Sequence, residues 1–404
     1  MKQENKEVIT MKRLARITTI TLLFLAVMTC LPLRAQQKQQ QWNITLQTGV
    51  GYIFNTFPAY GQMLDSYYYP TAALRIGYQT TESDHPYAAF YGYPNVGFQL
   101  GWTGLSKMQF SGDSHFGSII NFCGFMERDF LRVKRFSLGY DAQIGIGFNR
   151  TVYNPDTNPL NMNVSSSLLI YAGADLKMRY RFSKSFQMGL SLHIEHYSTG
   201  DLSCPNLGLN GCGAILSLRY DNITPPPIDY DPQPKPEVRP IFGEIFVGGG
   251  LHKCFTEWKV FGSTIPWPFL VAGGSINYRY LPQMSTGLNI DLNNAESTFI
   301  KRVEEADRIL FGDEAVDAYG RYSTFTCGLS MIQQFHYGNF TVFGNLGIYL
   351  YKRMGLHEQE GLLYQRVGMK YTFPQLANVF VSIDCKAHRF KNAAMMEFTI
   401  GKRL

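Results

Sequence analysis

The 404-residue sequence has little charge and few long hydrophobic runs. Only 17 % of its residues are Asp, Glu, Lys or Arg, well below the roughly 25 % of an average soluble domain. After the first thirty-odd residues, no apolar run approaches the roughly 18–20 residues that a membrane-spanning helix needs. A polytopic helical membrane protein is therefore excluded. The 45 % hydrophobic content excludes disorder and leaves a β-rich protein, either soluble or in an outer membrane.

Clustered positive charge is also missing. Residues 1–35 hold six basic and two acidic side chains, so the rest of the chain has 31 basic against 29 acidic residues, a net charge of +2. No stripe of Lys and Arg follows, and the sequence gives no argument for a nucleic-acid partner.

Cysteine patterns that bind metal are absent. The seven cysteines include no CxxC pair and no Cys/His cluster with zinc spacing, so no metal and no other cofactor is predicted. Cys204 and Cys212 are close enough in sequence to form a disulfide across one loop, as an exported chain could. Scattered, mostly buried thiols are the favoured interpretation.

The N-terminus has the pattern of a secretion signal. Lys12, Arg13 and Arg16 precede the mainly apolar segment 17–33, and Leu33-Arg34-Ala35 resembles a cleavage site. We predict a signal peptide over residues 1–35. A lipoprotein signal ending at Cys30 is the alternative.

Hydrophobic alternation with a period of two dominates the remaining chain and predicts β-strands. In segment 136–148, apolar residues occupy one face and small or polar residues the other. Lengths of about 10–14 residues suit a transmembrane barrel better than a soluble sandwich. The predicted strands are 42–55, 70–81, 90–103, 115–130, 136–148, 164–181, 185–198, 210–220, 241–255, 268–280, 283–293, 323–336, 339–351, 362–373, 377–388 and 393–403.

The connections alternate between long and short. Those after odd-numbered strands are mostly long and those after even-numbered strands mostly short, as in outer-membrane barrels. A Pro-rich periplasmic linker at 221–240 separates two sets of eight strands. We therefore expect an all-β fold in which an eight-stranded barrel, residues 36–220, precedes a second barrel-like half, residues 241–404. One sixteen-stranded barrel is the alternative.

Residues 295–311 break the strand pattern. Phe299, Val303, Ala306 and Leu310 recur at helical spacing among charged residues, which predicts an amphipathic surface helix in an outer loop.

One group of polar residues lies on an apolar face. His196 and Ser198 are two apart at the end of a predicted strand, so they share the face of the apolar residues before them. Asn210 shares the apolar face of the next strand. In a small barrel that face contacts lipid, where a polar cluster is costly and is a candidate functional site. A histidine beside a serine acts as general base, and a third group orients the imidazole.

These residues also carry a family resemblance. His196-x-Ser198, followed by Pro205-Asn206-x-Gly208, resembles the outer-membrane lipid A 3-O-deacylase (PagL-like) and acyloxyacyl hydrolase family. The resemblance covers residues 42–220 and implies an eight-stranded barrel with a His-Ser-Glu site facing the membrane. Two positions depart from the family: its acid falls at Asn210, and the asparagine that follows its serine is Thr199.

The resemblance predicts an outer-membrane serine esterase that removes an ester-linked acyl chain from lipid A. His196, Ser198 and Asn210 would be catalytic, and Thr199, Gly200 and Asn206 would support the oxyanion. Lipopolysaccharide and outer-membrane lipids are the expected partners, and the oligomeric state is left open. The alternatives are a non-enzymatic channel and a barrel that binds lipopolysaccharide without cleaving it.

Overall fold

The computed structural model describes residues 41–404 except 55–66, 82–83, 85, 111–113, 201, 222, 224–226, 229–238, 254, 263–265, 357–361 and 389–391. The predicted signal peptide and most of the predicted linker lie outside the described residues. Within the described part of the chain, no helix is both long and apolar enough to span a membrane.

The first eight strands close into an antiparallel barrel. They are β1 (Trp42–Ile53), β2 (Tyr68–Gln79), β3 (Asn95–Thr103), β4 (Ile119–Val133), β5 (Phe136–Asn149), β6 (Leu168–Arg181), β7 (Phe186–Ser198) and β8 (Leu209–Tyr220). Closure is made by β8 pairing with β1, from Ile44 opposite Tyr220 to Ile53 opposite Gly211.

The next eight strands form a second closed barrel. They are β9 (Ile241–His252), β10 (Trp267–Leu281), β11 (Met284–Ala295), β12 (Phe325–Tyr337), β13 (Phe340–Lys352), β14 (Leu363–Phe373), β15 (Val379–His388) and β16 (Asn392–Arg403). Here β16 pairs with β9. The two-barrel prediction is confirmed, and the sixteen-stranded alternative is wrong because β8 bonds to β1 rather than to β9.

The outward faces of both barrels are apolar. Leu192 is 64 % exposed and Ile276 is 71 % exposed, while their neighbours along the strands point into the lumen. This arrangement of apolar residues outside and polar residues inside suits a hydrocarbon surrounding. We call the end of each barrel that carries most of the long connections the outer end.

Both lumens are filled with charged side chains. In the first barrel, Arg75 is 1 % exposed and its guanidinium donates to Asp141 at 2.5 Å and to Gln99 at 2.6 Å. In the second, the Lys386 ammonium lies 2.7 Å from the Asp291 carboxylate, and both groups are fully buried. A cavity beside Arg75 has a volume of only about 10 Å³, room for about one water molecule. Such packing does not provide an aqueous channel.

Apolar connections cover the outer ends of the barrels. Leu105, Met108 and Phe116, from the connection after β3, pack against Tyr171 and Tyr197 in the first barrel. In the second barrel, helices cover the opening. These helices are α2 (Phe255–Phe261), α3 (Ser297–Phe311) and α4 (Asp313–Tyr319), whereas helix α1 (Pro86–Phe90) lies between β2 and β3 of the first barrel.

Helix α3 confirms the helix predicted over 295–311. Its apolar face is not open to a partner, because Phe299 and Val303 are buried against Phe269, Val271 and Met395. Helix α2 begins at the last residue of the predicted strand 241–255 and occupies part of the connection that follows it. Glu257 of α2 accepts a hydrogen bond from the Trp267 indole at 2.8 Å, a contact between two elements that local pattern does not reveal.

The predicted strand 90–103 begins five residues later than expected. Helix α1 occupies its start, and Gly92 and Tyr93 follow in left-handed conformation with φ of 63° and 55°. The Tyr91 hydroxyl donates to the carbonyl of His336 at 3.1 Å, and its ring packs against Tyr337. The turn therefore joins the first barrel to the second.

Among the described residues, Cys123, Cys204, Cys212, Cys327 and Cys385 form no disulfide, so Cys204 and Cys212 are not bridged. The cysteines are scattered as expected, but only Cys123 and Cys204 are buried and the other three are half-buried.

We predict that Lys386→Met destabilises the second barrel by about 3 kcal/mol, because it leaves the buried Asp291 carboxylate without its closest cation. Urea unfolding in detergent micelles measures the change. Ile383→Met introduces the same side chain on the outward face of the same strand and is expected to alter stability by less than about 0.5 kcal/mol. Equal midpoints for the two variants contradict the importance of the ion pair.

Candidate active site at the outer end of strands 7 and 8

The outer end of β7 presents polar residues on the outward face. Alternation along the strand places His196 and Ser198 on the same side as Leu192 and Ile194. His196 is exposed, whereas Ser198 is 9 % exposed. His196 and Ser198 therefore share the outward face of β7, and their role in a site remains a prediction.

His196 and Asn210 face each other directly in the register of β7 and β8. The His196 Nδ1–H donates to Asn210 Oδ1 at 2.8 Å, because an amide oxygen only accepts hydrogen bonds. This contact selects the tautomer in which Nε2 is unprotonated. In this tautomer, Nε2 can accept a proton from a nucleophile.

Ser198 is held by the backbone that follows it. Its Oγ accepts a hydrogen bond from the Gly200 N–H at 3.2 Å. Among the described residues, no hydrogen bond joins Ser198 to His196, although the two side chains share a face. Catalytic hydrogen bonds are often long before substrate binds and shorten in the complex, so this arrangement is compatible with a serine–histidine pair.

The connection 199–208 is ordered by two hydrogen bonds of Thr199. The Thr199 N–H donates to Asn206 Oδ1 at 3.0 Å, and its hydroxyl donates to the Ser203 carbonyl at 3.0 Å. The hydroxyl is thus already occupied, and Thr199 is 1 % exposed. These bonds hold Thr199 against Ser203 and Asn206. The Asn206 Nδ2 group lies near the serine end of the strand, and the Gly200 N–H is bonded to Ser198 Oγ.

Gly208 packs against the His196 imidazole. Its φ is +69°, and a Cβ at this position would lie 3.0 Å from His196 Cε1. Asn163 Nδ2 donates to the Gly208 carbonyl at 2.6 Å, and the Leu207 N–H donates to the Met162 carbonyl at 3.1 Å. Asn163 was not predicted from the sequence. It lies in the connection after β5, and only the packing of two loops brings it to Gly208.

The lumen face of β7 anchors the site from the inside. The Tyr69 hydroxyl donates to Glu195 at 2.7 Å, and the Tyr197 hydroxyl accepts from Asn121 at 2.9 Å. Glu195 therefore lies on the opposite face from His196. Asp201, a possible substitute acid, lies outside the described residues.

Two other histidines prove to be lumen residues. His388 is 2 % exposed and its Nε2 lies 2.9 Å from the Tyr349 hydroxyl, which makes it an inward-facing structural residue. The Ser285 hydroxyl lies 2.9 Å from His336 Nε2, and both residues are fully buried. That pair offers no surface to a substrate. Within the described residues, no group of three or more His, Cys, Asp or Glu is arranged to hold a metal ion.

Comparisons with known proteins identify relatives of both halves. A family model described as lipid A 3-O-deacylase (PagL) matches residues 72–219. A second model, described as the C-terminal domain of acyloxyacyl hydrolase, matches residues 243–404. The resemblance stated from sequence covered only the first half. No curated protein matches the chain.

Several solved structures are similar to this chain at low sequence identity. The outer-membrane enzyme PagL is 14 % identical and aligns with 43 % of this chain and 97 % of its own, with a TM-score of 0.28. Neisserial surface protein A is 8 % identical, aligns with 46 % of this chain and 99 % of its own, and has a TM-score of 0.30. The NanC porin is 7 % identical over 88 % of this chain and 97 % of its own, with a TM-score of 0.16.

We predict that Gly208→Ala displaces the His196 imidazole without unfolding the barrel. The new methyl group would be too close to Cε1 and would need an unfavourable positive φ. The Cε1–H resonance of His196, followed by NMR in detergent micelles, should shift. Gly262→Ala is the matched control, because Gly262 has φ +63° but no atom within 4 Å of the added methyl group. An unchanged His196 resonance in Gly208→Ala would refute this role.

Proposed function

The chain belongs to the family of lipid A 3-O-deacylases and acyloxyacyl hydrolases, and we propose that it is a serine esterase that hydrolyses an ester-linked acyl chain of lipid A. As a member of that family with two closed barrels, it is an outer-membrane protein. The observation that carries the proposal is the His196–Asn210 hydrogen bond beside Ser198 on the membrane-facing surface.

The position of the cluster suits a lipid substrate. β7 runs toward the outer end of the barrel, so Ser198 lies at the level of the extracellular leaflet, where lipid A resides. An ester linkage in that leaflet lies at the boundary between the sugar head group and the acyl chains. A nucleophile that faces outward at this depth meets the linkage without extracting the lipid from the membrane.

In the proposed reaction, Ser198 Oγ attacks the ester carbonyl while His196 Nε2 takes the hydroxyl proton. The tetrahedral intermediate collapses, the bond to the sugar oxygen breaks, and His196 returns the proton to that oxygen. Water then attacks the acyl-enzyme with His196 again as base, which releases a fatty acid and regenerates Ser198. No metal or organic cofactor takes part in these steps.

Two donors are suited to stabilise the oxyanion of each tetrahedral intermediate. The Gly200 N–H already points at Ser198 Oγ. The Asn206 amide is oriented by Thr199, so that its Nδ2 group is available. Preorganised donors of this kind contribute about 3 kcal/mol each to transition-state stabilisation in other hydrolases.

Asn210 replaces the acid that the family resemblance leads us to expect. Its amide oxygen orients the imidazole as a carboxylate would, and Cys-His-Asn sites work in this way. It does not stabilise the imidazolium by charge, so we infer a slower reaction than with an acid. This neutral partner, together with the unjoined Ser198 and His196, is also what favours the second candidate, a barrel that binds lipopolysaccharide without cleaving it.

We predict that wild-type protein, expressed in cells with a range of lipid A donors, removes one acyl mass from lipid A and that Ser198→Ala removes none. Mass spectrometry of extracted lipid A gives the result directly. Ser191→Ala is the matched control, since Ser191 lies on the same strand but faces the lumen, and its activity should stay within about twofold of wild type.

Gel mobility verifies that the barrels of both proteins are folded. Identical lipid A mass spectra for wild type and Ser198→Ala would then contradict the proposed esterase function. Lipid A that co-purifies unmodified with both proteins would then establish the binding function instead.

We predict opposite effects of two substitutions at Asn210. Asn210→Asp adds a charge that stabilises the imidazolium and should raise kcat by about tenfold. Asn210→Leu removes the acceptor that fixes the tautomer and should lower kcat by at least about a hundredfold. Release of fatty acid from lipid A in detergent micelles measures both rates. Equal kcat in all three proteins would show that Asn210 does not orient the catalytic base.

A further inference from the structure

The outward face of β7 is exposed except at its outer end. Leu192 and Ile194 are 64 % and 58 % exposed, but Ser198, on the same face, is only 9 % exposed. A residue on this face that contacted lipid would have an exposed fraction similar to those of Leu192 and Ile194. Protein therefore covers Ser198 from one side.

The second barrel has a matching covered patch. On the outward face of β16, Phe398 and Ile400 are 50 % and 53 % exposed, whereas Met396 is 4 % exposed. The change again occurs at the outer end of the strand. Met396 is apolar and lies on the face that would otherwise contact lipid.

The two covered patches meet at Gly200. A Cβ built on Gly200 would lie 2.9 Å from Met396 Sδ and 2.5 Å from Ile170 Cδ1. Ile170 is the β6 residue opposite Ser198 in the register, and Gly200 donates its N–H to Ser198 Oγ. Ile170, Gly200 and Met396 thus form an apolar seam between the barrels, directly beside the candidate nucleophile.

We propose that Met396 is a specificity-determining residue, and that the seam holds the first carbons of the acyl chain whose ester is cleaved at Ser198. This inference rests on the proposed esterase function and adds the second barrel to its substrate site. An ester carbonyl that contacts Ser198 Oγ brings the adjoining methylene groups within reach of the seam. The seam is apolar, as a fatty chain requires, and the sugar head group remains on the aqueous side.

Methionine suits such a wall. Its unbranched side chain and polarizable thioether adapt to chains of different shape. An apolar pocket distinguishes chains that differ by one or two methylene groups by about tenfold or somewhat more. The residue at position 396 should therefore change the preference among acyl chains rather than the chemistry at Ser198.

The test compares Met396→Ala and Met396→Trp with wild type on ester substrates that share one head group and differ only in acyl-chain length and branching. Met396→Ala should shift the ratio of kcat/KM toward long or branched chains by about tenfold, and Met396→Trp should shift it toward short chains by a similar factor. Phe398→Ala is the matched control, because it lies on the same face of β16 but contacts lipid. It should leave the ratio unchanged.

The outcomes separate this inference from the proposed function. If Ser198→Ala leaves hydrolysis intact, the proposed serine esterase function is wrong. If Ser198→Ala abolishes hydrolysis while both Met396 variants keep the wild-type ratio, or lower kcat/KM equally for every chain, the specificity role is wrong and the esterase stands. Gel mobility and urea unfolding of each variant verify that both barrels are folded.

Discussion

Closure of each sheet on itself is the constraint on which the rest of the molecule depends. Hydrocarbon offers no partner to an unpaired N–H or C=O, and each such group costs several kcal/mol. The pairing of β8 with β1 and of β16 with β9 removes both pairs of sheet edges. Once the sheets are closed, the two faces of every strand become a lumen face and a lipid face. The narrow lumens must then be filled, which Arg75 and Lys386 do with their buried carboxylate partners.

Closure also fixes the geometry of the candidate site. His196 and Asn210 meet because they are opposite each other in the β7–β8 register. A slip of one residue in β8 would turn Asn210 into the lumen and separate the pair. On the other face of β7, the bonds of Glu195 to Tyr69 and of Tyr197 to Asn121 hold β7 itself in position. The lumen network therefore positions residues on the outside, although it never contacts a lipid.

Much of the fold and of the candidate site was predictable from sequence. An alternation of apolar and polar residues with a period of two is compatible with few structures other than β-strands. The number of strands, the two barrels and the outward direction of His196, Ser198 and Asn210 all follow from alternation and from the lengths of connections. The start of β3 was placed too early, since local alternation does not reveal that Tyr91 packs against the second barrel. For the same reason the sequence revealed neither the hydrogen bond from Asn163 to Gly208 nor the contact of Met396 with Gly200. These depend on contacts between segments far apart in the chain.

On the proposed function, the apolar seam offsets part of the stabilisation that is lost because Asn210 is neutral. With an amide in place of an acid, the imidazolium lacks a charged partner, and more of the transition-state stabilisation must come from the oxyanion donors and from positioning. Hydrogen bonds to a developing oxyanion are stronger where water is excluded. Ile170 and Met396 lie beside Gly200, whose N–H donates to Ser198 Oγ. On the proposed function, they would exclude water from that side of the ester. A fixed protein wall also restricts the acyl chain more than mobile lipid does, which lowers the entropic cost of reaching the reactive geometry. On the proposed function, the second barrel therefore contributes to catalysis by restricting and desolvating the ester, without supplying a reacting group.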